Sequence, residues 1–204
     1  MKVFRAIRWC LLVFFIVSAA AEAAPILQVS SGLLTGAKGV NVNGSPYDVQ
    51  FVDGTCNAVF NGCDELADFT FHSQADAMAA SLALLQQVFI DGSNGNFDSQ
   101  PELTFGCVSV IGDVCNVMTG YGFPVGPGFV GIVGAYNAEV EAIDGLSLGL
   151  GFPITDSQNS VFDVWARWTL SPQSVPSPGT LSCLGVALLA LILVRRRRFD
   201  TAYI

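Results

Sequence analysis

The clearest alternation of apolar and polar positions lies at 47–52, where Tyr47, Val49 and Phe51 are separated by Asp48 and Gln50 before Val52. A period of two over that length predicts a half-buried β-strand, closed by a turn at Asp53-Gly54. Ahead of it, 26–45 is rich in Gly, Ser and Asn around Leu33, Leu34 and Val40. It reads as an irregular lead-in or a short strand entering a hairpin at Asn43-Gly44. Residues 56–68 form a loop with Gly62, Asp64 and Glu65, and Phe69 and Phe71 return to apolar packing. At 74–90 the period changes. The stretch has no Gly or Pro, and Ala75, Met78, Ala79, Leu82, Leu85 and Phe89 recur at helical spacing. Ser73 followed by Asp76 is a capping-box-like start. A helix is predicted, mostly covered because Ser81, Gln86 and Gln87 are its few polar residues.

The turn-rich stretch 91–96 stops that helix. Strands are expected at 104–111, 113–118, 129–142, 145–152 and 161–170, with a Gly/Pro-rich loop at 120–128. In the last strand Phe162, Val164, Ala166, Trp168 and Leu170 share one face, and Asp163, Trp165, Arg167 and Thr169 the other. Of Trp165 and Trp168, then, at most one faces the core. Glycines between 130 and 151 imply a bent or bulged sheet. The predicted fold class is α+β: one buried Ala/Leu-rich helix packed on an antiparallel, glycine-bent sheet, with an N-terminal signal helix and a C-terminal transmembrane helix.

Both chain ends carry apolar runs flanked by charge. Lys2, Arg5 and Arg8 precede an apolar run at 9–17, and Ala21-Glu22-Ala23 is a small-x-small site. Residues 1–23 therefore read as a Sec-dependent signal peptide cut after Ala23. At the other end Val175, Pro176, Ser177 and Pro178 precede Gly179, Thr180, an apolar run at 181–194, and Arg195, Arg196, Arg197 and Arg198. Fourteen residues make roughly 21 Å of helix. That is short for a hydrocarbon core of about 30 Å, but Gly179 and Thr180 lengthen it and Arg195 can snorkel. The arginines act as the stop-transfer signal and hold their end in the cytoplasm. This places the domain 24–174 in the periplasm, ahead of a transmembrane helix at 179–194.

What remains is about 150 residues, enough for one domain. Of 17 acids fifteen lie in 24–174, and of nine bases only Lys38 and Arg167, so the domain carries a net charge near −13. Such a surface cannot neutralise phosphates, which excludes nucleic-acid binding and charge-driven adhesion to anionic lipid. Divalent cations and neutral glycans stay open as partners. Cys10 and Cys183 fall in the terminal runs, leaving Cys56, Cys63, Cys107 and Cys115. An even number in an exported domain implies disulfides, with three possible connectivities. The local pairs Cys56–Cys63 and Cys107–Cys115 are favoured because each brackets a short loop bearing Gly, Asn or Asp. A zinc site is the alternative, but there is no CxxC spacing and only His72 lies nearby.

Candidate chemistry is sparse. The single histidine, His72, reads as a helix-start residue, and no nucleophile elbow, HExxH or Walker motif is present. No cofactor and no enzymatic activity are expected. Glu139 and Glu141 share a face of a predicted strand with Asp144 in the following turn, which keeps a carboxylate-based hydrolase as a weaker alternative. Asp91, Ser93, Gly95 and Glu102 fall at positions 1, 3, 5 and 12 of an EF-hand count. The match fails at Gly95, Asn96 and Pro101, leaving Asp91 and Asp98 as weak candidates for an irregular calcium site. Trp165 and Trp168 with Tyr121 and Tyr136 are candidates for a sugar-stacking platform.

The layout of motif 175–178, short apolar helix and Arg cluster 195–198 resembles the PEP-CTERM sorting signal, with Ser177 in place of the usual Glu. Residues 47–56 and the Ala-rich helix ending Gln87-Val88-Phe89 resemble, less closely, a recurring N-terminal domain of such proteins. The resemblance implies exosortase as processing enzyme, transient anchoring in the inner membrane, and transfer to the cell surface or extracellular matrix. It also implies a link to exopolysaccharide and biofilm. The expected function is that of a non-enzymatic exported matrix protein, with a glycan- or calcium-binding surface module as the alternative.

Overall fold

The Gly-, Ser- and Asn-rich stretch, read as an irregular lead-in or a short strand entering a hairpin at Asn43-Gly44, is two full strands, the second of which enters that hairpin. In the computed structural model, which describes residues 24–108 and 114–172, it forms β1 (Ile26–Ser30) and β2 (Leu33–Val42), paired antiparallel. Two-residue turns flank β2: Ser31 and Gly32 have φ of 52° and 84°, Asn43 and Gly44 of 52° and 82°. Left-handed backbone at both central positions is what a tight hairpin between twisted strands requires, and Asn-Gly suits it best. The second turn feeds β3 (Ser45–Val52), the strand announced by the alternation at 47–52.

Beyond β3, Thr55 caps a one-turn helix, α1 (Cys56–Val59), by accepting the Ala58 N–H. The Cys56–Cys63 disulfide ties this loop at its neck, with Cα atoms 5.6 Å apart. The main helix, α2 (Gln74–Gln87), starts where predicted: Ser73 accepts the Asp76 N–H at 3.2 Å and donates to the Asp76 carboxylate at 2.6 Å. It stops at Gln87, three residues short of expectation, and the Val88 N–H closes on the Leu84 carbonyl. Its buried face is also not the expected one. Ala77, Ala80, Ser81, Ala83 and Leu84 are buried, while Met78 and Leu82 are exposed. The sheet below is filled with Val, Phe and Trp, so the helix turns its smallest side chains inward and lies close. Ser81 meets its polar needs there, 3.1 Å from the Val133 carbonyl and 3.2 Å from Thr119 Oγ1.

A small hairpin of β4 (Asp91–Gly92) and β5 (Gly95–Asn96) follows, then a 3-10 turn at Pro101–Leu103. The strand expected from 104 is not formed in the described part of that segment. Thr104 makes only an isolated parallel bridge to Leu34, because the 3-10 turn has already bent the chain. The Cys107–Cys115 disulfide joins it to β6 (Val114–Gly122), which runs on through three of the residues expected to be loop. Then come β7 (Val130–Ala138), β8 (Gly145–Gly151) and β9 (Asp163–Leu170).

The seven long strands form one sheet in the order β1-β2-β3-β9-β6-β7-β8, antiparallel throughout except for the β6/β9 pair. The fold is α+β with a mostly antiparallel sheet and one main helix. Two antiparallel meanders are joined by β9, the last described strand, inserted between them. A core cluster that includes Phe51, Leu84, Phe89, Val133, Ala166 and Trp168 fills the helix side. A second, with Cys56, Phe60, Cys63, Phe69, Met118 and Trp165, lies under the α1 loop. Because β9 is central, with Trp168 in the helix-side core and Trp165 under the α1 loop on the other face, both tryptophans are buried, correcting the expectation that one would be exposed. Trp165 donates to the Gly54 carbonyl at 3.1 Å and Trp168 to Thr119 Oγ1 at 3.1 Å.

The chain divides into two units, Met1–Ser171 and Pro172–Ile204. The signal peptide 1–23 and, from 173 onward, the motif 175–178, the apolar run and Arg195 to Arg198 lie outside the described residues. Among the described residues no helix is long and apolar enough to cross a membrane.

Both disulfides follow the local connectivity favoured by spacing. Replacing Cys107 and Cys115 together by alanine is expected to lower the unfolding free energy by about 2–3 kcal/mol, the loop-closure value for so short a ring. Urea denaturation of oxidised wild type and the double variant measures it. Equal midpoints would mean the bridge adds nothing.

Candidate binding face

On the half of the sheet away from α1, one face stays open. Val49 and Phe51 of β3 and Ala166 and Trp168 of β9 point to the helix side. Alternation therefore sends Asp48 and Gln50, and Arg167 and Thr169, to the other side. The α1 loop covers Trp165 there, with Phe60 edge-on at 5.5 Å, and leaves the residues past it uncovered. Register then builds a row across four strands: Gln28 pairs with Gly36, Gly36 with Gln50, and Gln50 with Arg167.

At the centre of that row is a position only glycine can hold. Gly36 has φ of +150°, and a Cβ there would sit 2.1 Å from the Val49 carbonyl oxygen. Next to it the β2/β3 pairing shifts between Ala37 and Val40. A shift of this kind re-aims the side chains within it, and the residues inside are Lys38 and Gly39. Asp48 holds the bulge: its Oδ1 accepts the Gly39 N–H at 3.0 Å and the Ser171 hydroxyl at 2.5 Å. The result is an open concavity of about 310 Å³ lined by Gln28, Thr35, Lys38, Gln50, Arg167 and Thr169, with Asp48 at its wall. A neighbouring concavity of about 360 Å³, under the α1 loop, shares Arg167 and Thr169 with it.

The electrostatics are unusual for so acidic a domain. Arg167 donates to the Gln50 amide oxygen, a neutral partner. Among the described residues neither Lys38 nor Arg167 has a carboxylate within ion-pair distance. The only two cations of 24–174 thus line one concavity, which they share with the Asp48 carboxylate but without an ion pair to it. In the sequence Lys38 enters only the charge count, and Arg167 that count and one face of the last expected strand. The signal was in that count, but 129 positions separate them, and only the insertion of β9 beside β3 brings them together.

The other candidates are not assembled. Trp165 and Trp168 are in the core on opposite faces, Tyr121 is buried beneath Gly131, and Tyr136 is half-buried, so no shared stacking platform exists. Glu139 lies past the end of β7 rather than on it and is exposed, Glu141 opens a 3-10 turn, and Asp144 Oδ1 accepts the Ala138 N–H at 2.8 Å. The shared strand face expected for the two glutamates is therefore absent. His72 is exposed at the helix start, with Nε2 2.9 Å from the Phe69 carbonyl.

Asp91 has a structural employment. Its Oδ1 accepts the Asp98 N–H at 3.0 Å and the Ser99 N–H at 3.1 Å, closing the loop around the β4/β5 hairpin. Among the described residues no three His, Cys, Asp or Glu side chains gather as metal ligands. Desolvation raises the Asp91 carboxyl, but hydrogen bonds from the Ser99 side chain and the Ser99 and Asp98 amides outweigh it and hold the pKa below its ordinary value. A lowered folded pKa gives stability that is present above the unfolded pKa and lost as pH falls through the folded one. Hydrogen exchange at the Asp98 and Ser99 amides should therefore be protected at neutral pH and lose protection on acidification below the carboxylate range. In Asp91→Ala it should be unprotected at all pH values. Protection that survives this substitution would contradict the assignment.

Compared with protein-family models, curated proteins and solved structures, the chain matches none of them.

Proposed function

We propose that this chain is an exported, non-enzymatic protein of the cell envelope or extracellular matrix, sorted by exosortase and associated with exopolysaccharide. The observation that carries the reading is the pair of disulfides, each closing a ring of fewer than ten residues within an acidic domain. Bridges of this kind persist in oxidising compartments, and they agree with the signal-peptide pattern at 1–23. The sorting layout at 175–198 supplies the route: Sec export, anchoring by the apolar run, then processing near Pro176. Fractionation of cells with and without exosortase tests it, with mass spectrometry of both termini. The expected product begins at Ala24 and, where exosortase is present, ends near Pro176. Recovery of an unchanged chain bearing Arg195 to Arg198 from both strains would sink the reading.

The second reading, a glycan-binding surface module, is favoured by one specific observation, the open polar concavity at Lys38 and Arg167. The calcium variant of that reading has less support, since the Asp91 oxygen that would serve the ion is already taken by two amides. The hydrolase reading has lost the shared carboxylate face on which it rested.

A further inference from the structure

We propose that the concavity between β2, β3 and β9 binds an acidic sugar residue, a uronate within an otherwise neutral glycan. Lys38 and Arg167 would take its carboxylate. The inference deepens the glycan-binding reading and rests on it.

Charge selects the class first. In a domain near −13 the mean potential repels polyanions, so a densely charged polymer is disfavoured whatever one site offers. An anion is best placed where the two cations line one concavity with a single carboxylate, Asp48, already held by the Gly39 N–H and the Ser171 hydroxyl, which suits a ligand carrying one anionic group among neutral units. The donor set selects next. A guanidinium presents a planar fork that matches carboxylate geometry, and here Gln50 fixes its orientation without neutralising it. Had a carboxylate held Arg167, the site would be closed to anions.

The remaining lining matches hydroxyl groups rather than a base or an acyl chain. Gln28 offers an amide that donates and accepts, Gln50 the amide N–H left free by its bond from Arg167, Thr169 a hydroxyl, and Thr35 a hydroxyl oxygen that can accept while it donates to the Gln28 carbonyl at 3.0 Å. No aromatic ring lines this concavity, which argues against a stacked nucleobase. The volume of about 310 Å³ lies at the low end for small-ligand sites, the size of one sugar unit with its neighbours in solvent. Gly36 keeps the floor of the row free of a side chain, and the bulge held by Asp48 places Lys38 at the rim.

The test is calorimetric or fluorescence titration of the purified full-length chain in neutral detergent. The probes are a hyaluronan tetrasaccharide, which alternates uronate with N-acetylglucosamine, chitotetraose as its uncharged counterpart, and inorganic phosphate. The tetrasaccharide should bind, more weakly as salt rises, and at least tenfold more tightly than chitotetraose or phosphate. Arg167→Gln should lower its affinity roughly tenfold and Lys38→Gln roughly fivefold, losses typical of charge-assisted hydrogen bonds. Both side chains are exposed, and an unchanged circular-dichroism spectrum and melting midpoint confirm the variants' fold. Affinity unaffected by both substitutions, chitotetraose binding as tightly as hyaluronan, or phosphate matching it would each overturn the proposal. The sorting reading is judged in cells from the protein's termini, so either can fail while the other stands.

Discussion

Trp165→Ala is expected to lower the unfolding free energy by about 4 kcal/mol, in the range for truncating a fully buried Trp or Phe. The indole is completely buried at the centre of the smaller core cluster. Phe60 meets it edge-on at 5.5 Å, and Phe69 packs behind Phe60 at 5.3 Å. The loss is a packing loss. The Gly54 carbonyl that accepts the indole N–H also accepts the Ser157 N–H at 3.1 Å, so removing tryptophan leaves no orphaned acceptor. The disulfide beside the cluster limits its collapse, because Cys56 and Cys63 cannot move apart to refill the space. Urea denaturation followed by far-ultraviolet circular dichroism measures the effect without relying on the deleted fluorophore. A loss below about 1.5 kcal/mol would show that the α1 loop does not seal this face.

The second large effect falls on Gly36. Gly36→Ala should destabilise by about 3–5 kcal/mol, combining left-handed strain with forced overpacking. The clash is with backbone: the new Cβ would lie 2.1 Å from the Val49 oxygen. Val49 cannot retreat, since it pairs with Ala37 on one side and Trp168 on the other. Gly32→Ala is the matched control. It also has positive φ, +84°, but nothing within 4 Å of its Cβ, so only the strain term applies, about 1 kcal/mol. Thermal melts of both variants should separate them clearly. Equal melting temperatures would remove the steric argument, and with it the reason the floor of the binding face is bare.

The parts of this fold legible in the sequence were those carried by local pattern. The alternation at 47–52 became β3, Ser73 with Asp76 became the cap of α2, and cysteine spacing matched both bridges. The parts that failed depended on neighbours distant in the chain. β1 and the full length of β2 escaped because their glycines serve turns and bulges that a period of two does not register. The helix face was misjudged because Ala at 75, 77, 79, 80 and 83 fits several stripes, and the bulk of the sheet below decides among them. Trp165 and Trp168 were separated correctly onto two faces, but which faces are covered depends on β9 being central. The binding face was the least visible, since Lys38 and Arg167 meet only through that same topology.

The position of β9 also sets an order of events. Until residues 163–170 are in place, β3 and β6 each lack a neighbour, and the two meanders share no strand. Val52 finds Trp165, and Met118 finds it from the other side, only when the end of the described chain arrives. Contacts so distant in sequence form slowly, because the chain must close long loops before any of them is rewarded. A chain made N-terminus first therefore stays an incomplete sheet with two open inner edges until β9, the last described strand, has emerged. β9 acts as a keystone, and the domain remains threadable up to the moment it is set.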